Sequence, residues 1–178
     1  MTDLSGKTVA IIATDFFEEA ELVKPCDALR AAGADVRIYS TGTDPIQAVE
    51  GDTTQTRTIE VDGTVDDLDV GSVDAVVVPG GTINADHIRT EERARDIVRQ
   101  AMADELPLAV ICHGPWLLVS AGLAQGRRLT SYPSLADDVR NAGGTWVDEE
   151  VVVDGNLITS RNPDDLPAFI KAIEDALS

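Results

Sequence analysis

Two apolar runs, Ala75-Val76-Val77-Val78 and Leu108-Ala109-Val110-Ile111, stop abruptly, the first at Pro79-Gly80-Gly81 and the second at Cys112-His113-Gly114-Pro115. Unbroken apolarity suits strands covered on both faces, as in a parallel sheet lying between helices. Lys7 to Ile12 and Asp35 to Ser40 read as two further strands. Helical stretches alternate with these: Glu21 to Ala32, ending near Gly33; Thr90 to Glu105, with Ala94, Ile97, Val98, Ala101 and Met102 on one face; Pro115 to Ala121; Ser134 to Ala142; and Asp164 to Leu177. The polar segment Thr41 to Asp69 holds short antiparallel pieces around Gln47-Ala48-Val49 and Arg57 to Val61. A strand is expected near Leu129 to Tyr132, and Val151 to Thr159 reads as a hairpin turning at Gly155. Such alternation implies one doubly wound α/β domain over residues 1–178, with a mainly parallel sheet and ligand sites at the strands' carboxyl ends.

Cys112 falls on the turn between a buried strand and a helix, because Pro115 is tolerated in a first helical turn and would break a strand. A side chain on such an elbow is expected to project into solvent, in the positive field of the helix N-terminus, with its thiol pKa lowered. The thiolate is the attacking species, so this placement reads as a nucleophile. The alternative is a small core hydrophobe. Cys26 illustrates it, sharing one helical face with Leu22 and Leu29.

Other segments converge on the same end of the sheet. Asp15-Phe16-Phe17-Glu18-Glu19-Ala20-Glu21 follows the first strand and offers carboxylates, although acids also favour helix starts for structural reasons. Gly80 and Gly81 would let backbone N–H groups approach a ligand, as an oxyanion site requires, and would equally suit a plain turn. His87, in Asn84-Ala85-Asp86-His87, lies beside the start of a solvated helix and reads as a surface residue.

The charge excludes whole classes of partner. With 32 acidic against 14 basic residues and a formal net charge of −18, binding to nucleic acid or an anionic membrane is disfavoured. The acids are dispersed along the chain, as at Asp66-Asp67, Asp137-Asp138 and Asp164-Asp165, so they form a solvated surface whose self-repulsion calls for counter-ions, as in a halophilic protein. Two differently placed cysteines suggest neither a disulfide nor a metal site, which fits a reducing cytoplasm. No secretory pattern opens the chain, and no apolar run approaches a bilayer's span.

Five motifs together carry a resemblance: Val110-Ile111-Cys112-His113-Gly114-Pro115-Trp116, the Phe17 to Leu22 helix start, Val78-Pro79-Gly80-Gly81, Leu129-Thr130-Ser131-Tyr132-Pro133, and Thr159 to Pro167. In order and spacing the chain, from about Val9 to Leu177, resembles the DJ-1/PfpI superfamily, and within it the PfpI-like intracellular peptidase branch. The resemblance implies a flavodoxin-like sandwich and a cofactor-independent cysteine enzyme that is a homo-oligomer, either dimer or hexamer. It implies Cys112 as nucleophile and Glu21, which stands four residues before Pro25, as the acid hydrogen-bonded to its sulfur. Gly81 and the His113 N–H would form the oxyanion hole, with Gly80, Gly114 and Tyr132 lining the site. His113 would be oriented by an acid from a neighbouring subunit, matched here by Asp86, with Ala85 where many relatives carry proline. The implied activity is that of a glyoxalase or deglycase on α-oxoaldehydes such as methylglyoxal or glyoxal, or on their protein adducts. The alternatives are an intracellular cysteine peptidase and, from another class, an oxidative-stress sensor or chaperone using the same cysteine.

Overall fold

A computed structural model describes residues 2–178. Its main sheet contains seven strands in the order β11-β12-β8-β7-β1-β3-β6: β1 (Thr8–Ile12), β3 (Asp35–Ser40), β6 (Gly63–Thr64), β7 (Ala75–Val78), β8 (Leu108–Ile111), β11 (Val151–Asp154) and β12 (Leu157–Ser160). Every pairing is parallel except that of β11 with β12, the expected hairpin. The inner order β3-β1-β7-β8-β12 is that of the flavodoxin-like doubly wound fold, whose topological switch point lies between β1 and β7. A small sheet joins β2 (Phe17–Glu18) to the antiparallel pair β4 (Ile46–Glu50) and β5 (Thr54–Ile59), and β9 (Arg128–Leu129) pairs with β10 (Thr145–Trp146).

The central strands bury both faces, and successive residues feed different cores because side chains alternate across a pleated strand. Val9, Ile11, Val77, Ala109 and Ile111 pack toward α1 (Glu19–Ala31) and α6 (Leu166–Leu177). Ala10, Ile12, Val76, Val78, Leu108 and Val110 pack toward α2 (Thr82–Ile88), α3 (Glu92–Ala103), α4 (Pro115–Ala121) and α5 (Ala136–Asn141). The expected face of α3 is buried throughout, and Cys26 lies buried with Leu22 and Leu29 on α1. None of these helices is long and apolar enough to cross a membrane.

Three local expectations are corrected. The segment read as the approach to a solvated helix is itself helical: α2 runs Thr82–Ile88, and burial of Asn84, Ala85 and Ile88 outweighs its modest helix propensity. The strand expected to Tyr132 ends at Leu129, since the Tyr132 N–H is taken by the Cys112 carbonyl and Pro133 opens a 3-10 turn. The closing helix begins at Leu166 after a 3-10 turn over Pro163–Asp165.

Candidate active site

β1, β7 and β8 end side by side, and the turns leaving them meet around Cys112. Its backbone holds φ +63°, the left-handed region that a residue with a Cβ seldom adopts, so the elbow stores strain. Tertiary bonds hold it there. The Cys112 N–H donates to the Ser160 carbonyl at 3.0 Å, and the Cys112 carbonyl accepts from the Tyr132 N–H at 2.7 Å. Gly114 completes the turn, where a Cβ would lie 2.8 Å from Val110 Cγ1. Pro115 then opens α4, as expected.

The side chain does not project into solvent: Cys112 is only 6% exposed. Burial pushes its thiol pKa up, and a negative charge on Glu21 pushes it further, while the Gly81 and His113 N–H groups pull it back. The elbow by itself therefore does not make a thiolate. Removing a charge from water costs more than the end of a short helix returns.

Glu21 alters that balance. It is fully buried in the first turn of α1, and Gly80 N–H donates to its Oε2 at 2.7 Å. Its Oε1 is buried with no hydrogen-bond partner. Burial is the main reason its pKa is pushed up to about 8. At neutral pH it keeps its proton, so the repulsion that would suppress a thiolate is absent and an O–H can face the sulfur. Glu18 and Glu19 do other work. The Glu18 carboxylate accepts from the Gly51 and Asp52 N–H groups at 3.0 and 3.1 Å, and Glu19 pairs with Arg57 at 3.1 Å.

His113 is also buried, which lowers its pKa, while the charge of Asp52 acts in the opposite direction. Its Nδ1 lies 3.2 Å from Cys112 Sγ and its Nε2 lies 3.3 Å from Thr82 Oγ1. Tyr132, 41% exposed, stacks on the imidazole with centroids 4.6 Å apart, and Trp116 meets it edge-on at 5.5 Å. The Trp116 indole N–H donates to Asp138 at 2.9 Å.

Of the expected residues, Cys112, His113, Glu21, Gly80, Gly81 and Tyr132 converge. Two glycine N–H groups are already committed: Gly80 to Glu21, and Gly114 to the Ile111 carbonyl at 2.9 Å. Gly81 and His113 are left as the donors facing the sulfur. Gly81 has φ +87°, and a Cβ there would lie 2.6 Å from the Phe16 carbonyl. Asp86 and His87 are exposed on α2, and among the described residues neither bonds to His113. Sequence reasoning missed Thr82, Asp52 and Asn84. Buried Asn84 accepts from Thr14 N–H at 2.7 Å and donates to the Gly80 carbonyl at 2.9 Å, tying the ends of β1 and β7 together. Nothing in its local sequence distinguishes this asparagine from a surface residue.

A family model described as the DJ-1/PfpI family matches residues 7–176. A deglycase of Pyrococcus abyssi is 40% identical over 163 residues, covering 92% of this chain and 95% of the relative. A Bacillus subtilis protein provisionally named a cysteine protease, YraA, is 35% identical over 165 residues, covering 92% of this chain and 94% of its own. The crystal structure of Drosophila melanogaster DJ-1beta superposes with a TM-score of 0.87 at 31% identity, over 96% of this chain and 90% of that one.

Proposed function

Because this chain belongs to the DJ-1/PfpI family, we propose that it is a cofactor-independent cysteine enzyme acting on reactive α-oxoaldehydes or on their adducts with proteins, a glyoxalase or deglycase. One observation carries the reading: a strained Cys112 shares a buried site with Glu21, whose pKa of about 8 keeps it protonated at neutral pH. Cys112 is the nucleophile. Its S–H proton passes to His113 Nδ1, and the sulfur's electron pair forms a C–S bond to the aldehyde carbon. The carbonyl electrons move to oxygen, where the Gly81 and His113 N–H groups stabilise the oxyanion. Protonated Glu21 hydrogen-bonds the sulfur while it is anionic, and Tyr132 forms the exposed wall of the pocket. Return of that proton from His113 to the oxygen gives a hemithioacetal; where the bound carbonyl carries a leaving group, collapse of the oxyanion expels it, protonated by His113, and leaves an acyl-enzyme.

The peptidase reading has support from the relative provisionally named a cysteine protease. Burial argues for the smaller substrate. A cysteine only 6% exposed receives a two- or three-carbon aldehyde more readily than an extended backbone, and a groove of about 790 Å³ beside Glu18, Val23 and Arg57 does not include Cys112. The acidic surface fits molar salt and disfavours polyanionic substrates. Asp86, exposed on α2, is free to meet a second copy in a homo-oligomer. The deciding experiment compares turnover of methylglyoxal, of a methylglyoxal-modified peptide and of a fluorogenic peptide by wild type and Cys112→Ala in high KCl. Cys112-dependent lactate formation or adduct removal supports the proposal; peptide cleavage alone replaces it with the peptidase reading.

A further inference from the structure

Both ring nitrogens of His113 already have partners within this one chain. Nδ1 faces Cys112 Sγ at 3.2 Å, Nε2 faces Thr82 Oγ1 at 3.3 Å, and Tyr132 covers a ring face. Thr82 is held in turn. Its backbone N–H donates to Asp52 Oδ1 at 2.8 Å, and Asp52 sits in the turn between β4 and β5, where Gly51 and Asp52 have φ +61° and +65°. Glu18 pins that turn by accepting from both N–H groups. An unbroken set of hydrogen bonds thus runs from Glu18 through the turn to Thr82 and onto the imidazole.

A histidine can take the Cys112 proton on Nδ1 only if that nitrogen is bare, which puts the ring hydrogen on Nε2, where it needs an acceptor. We infer that Thr82, seated by Asp52, is the positioning residue that holds His113 in the Nε2–H tautomer from within its own chain. The inference rests on the reading of Cys112 as the attacking thiol. When the S–H proton moves to Nδ1, the sulfur keeps the electron pair and the imidazolium retains its Nε2–H bond to Thr82 Oγ1. The hydroxyl therefore accepts both before and after the transfer. Asp52 adds a negative charge that opposes the effect of burial on His113.

The test reads the ring directly. The chain has two histidines, so long-range ¹H–¹⁵N correlation of labelled protein, with His87→Gln for assignment, identifies the His113 tautomer without substrate. Wild type is expected as Nε2–H. In Thr82→Val that preference is lost, and alkylation of Cys112 by iodoacetamide slows by about tenfold or more. Thr82→Ser restores both, which a packing role for the methyl group would not. An unchanged tautomer in Thr82→Val, or a tautomer moved by Asp86→Ala and not by Thr82→Val, overturns the inference. Neither readout requires turnover, so failure here is distinct from failure of the proposed activity, which Cys112→Ala addresses.

Discussion

Glu21 and Cys112 belong to opposite halves of the chain, yet they meet across Gly80 at a junction with no room for a methyl group. A Cβ at Gly80 would lie 2.5 Å from Glu21 Oε2 and 2.7 Å from Cys112 Cβ. Gly80→Ala should therefore force the pair apart, at a cost of about 1–3 kcal/mol for overpacking. Thermal melting and iodoacetamide labelling of Cys112 measure the two consequences together, a lower Tm and an altered labelling rate. Wild-type values for both would mean that the pair tolerates separation.

Glu21 makes stability depend on pH with a definite sign. Its pKa is about 8 in the folded protein against a reference of 4.5, so between these values the folded state holds a proton that the unfolded state releases. Stability should fall as pH rises through that window, by up to roughly 1.4 kcal/mol per pH unit from this group, and level off above it. Glu21→Gln, which stays neutral, should remove this contribution while keeping a donor for the sulfur. Glu21→Leu should remove the donor as well and slow Cys112 oxidation. Denaturant unfolding of the three proteins from pH 5 to 9 provides the comparison, and parallel slopes would show that Glu21 is ionised throughout.

The two cysteines should separate cleanly. Cys112→Ala is expected to lower every turnover activity by about a thousandfold or more. Cys26→Ala, which only opens space on the core face of α1, should cost stability and leave kcat within about twofold. Equal losses of kcat in two folded variants would remove Cys112 from the chemistry.

Salt tests the meaning of the charge. With a net charge of −18, self-repulsion acts over roughly 10 Å at 0.1 M salt and about 3 Å at 1 M. The melting temperature should rise with KCl from tens of millimolar to molar, by about 3 °C for each kcal/mol of repulsion relieved. A flat response would mean that the acidity has no bearing on folding stability.

The strands and most helices were legible because their signals are local. Ala75–Val78 and Leu108–Ile111 stand where unbroken apolarity places them, and α3 buries the face marked by Ala94, Ile97 and Val98. Cys112 on a strand-to-helix elbow and Cys26 in the core follow from neighbours within one turn. The choice of Glu21 over Glu18 and Glu19 rests on family resemblance, and no local pattern would have told apart the distinct environments that the three carboxylates have in the structure. What the tertiary structure alone decided depends on groups far apart in the chain. Burial reversed the expected direction of the Cys112 thiol pKa, because desolvation is a property of everything packed around the sulfur. Thr82 reached His113 because a turn at Asp52, held by Glu18, lies over the start of α2. Periodicity specifies which residues face the core, whereas which polar atoms meet beyond the strand ends is set by loop paths that no local pattern encodes.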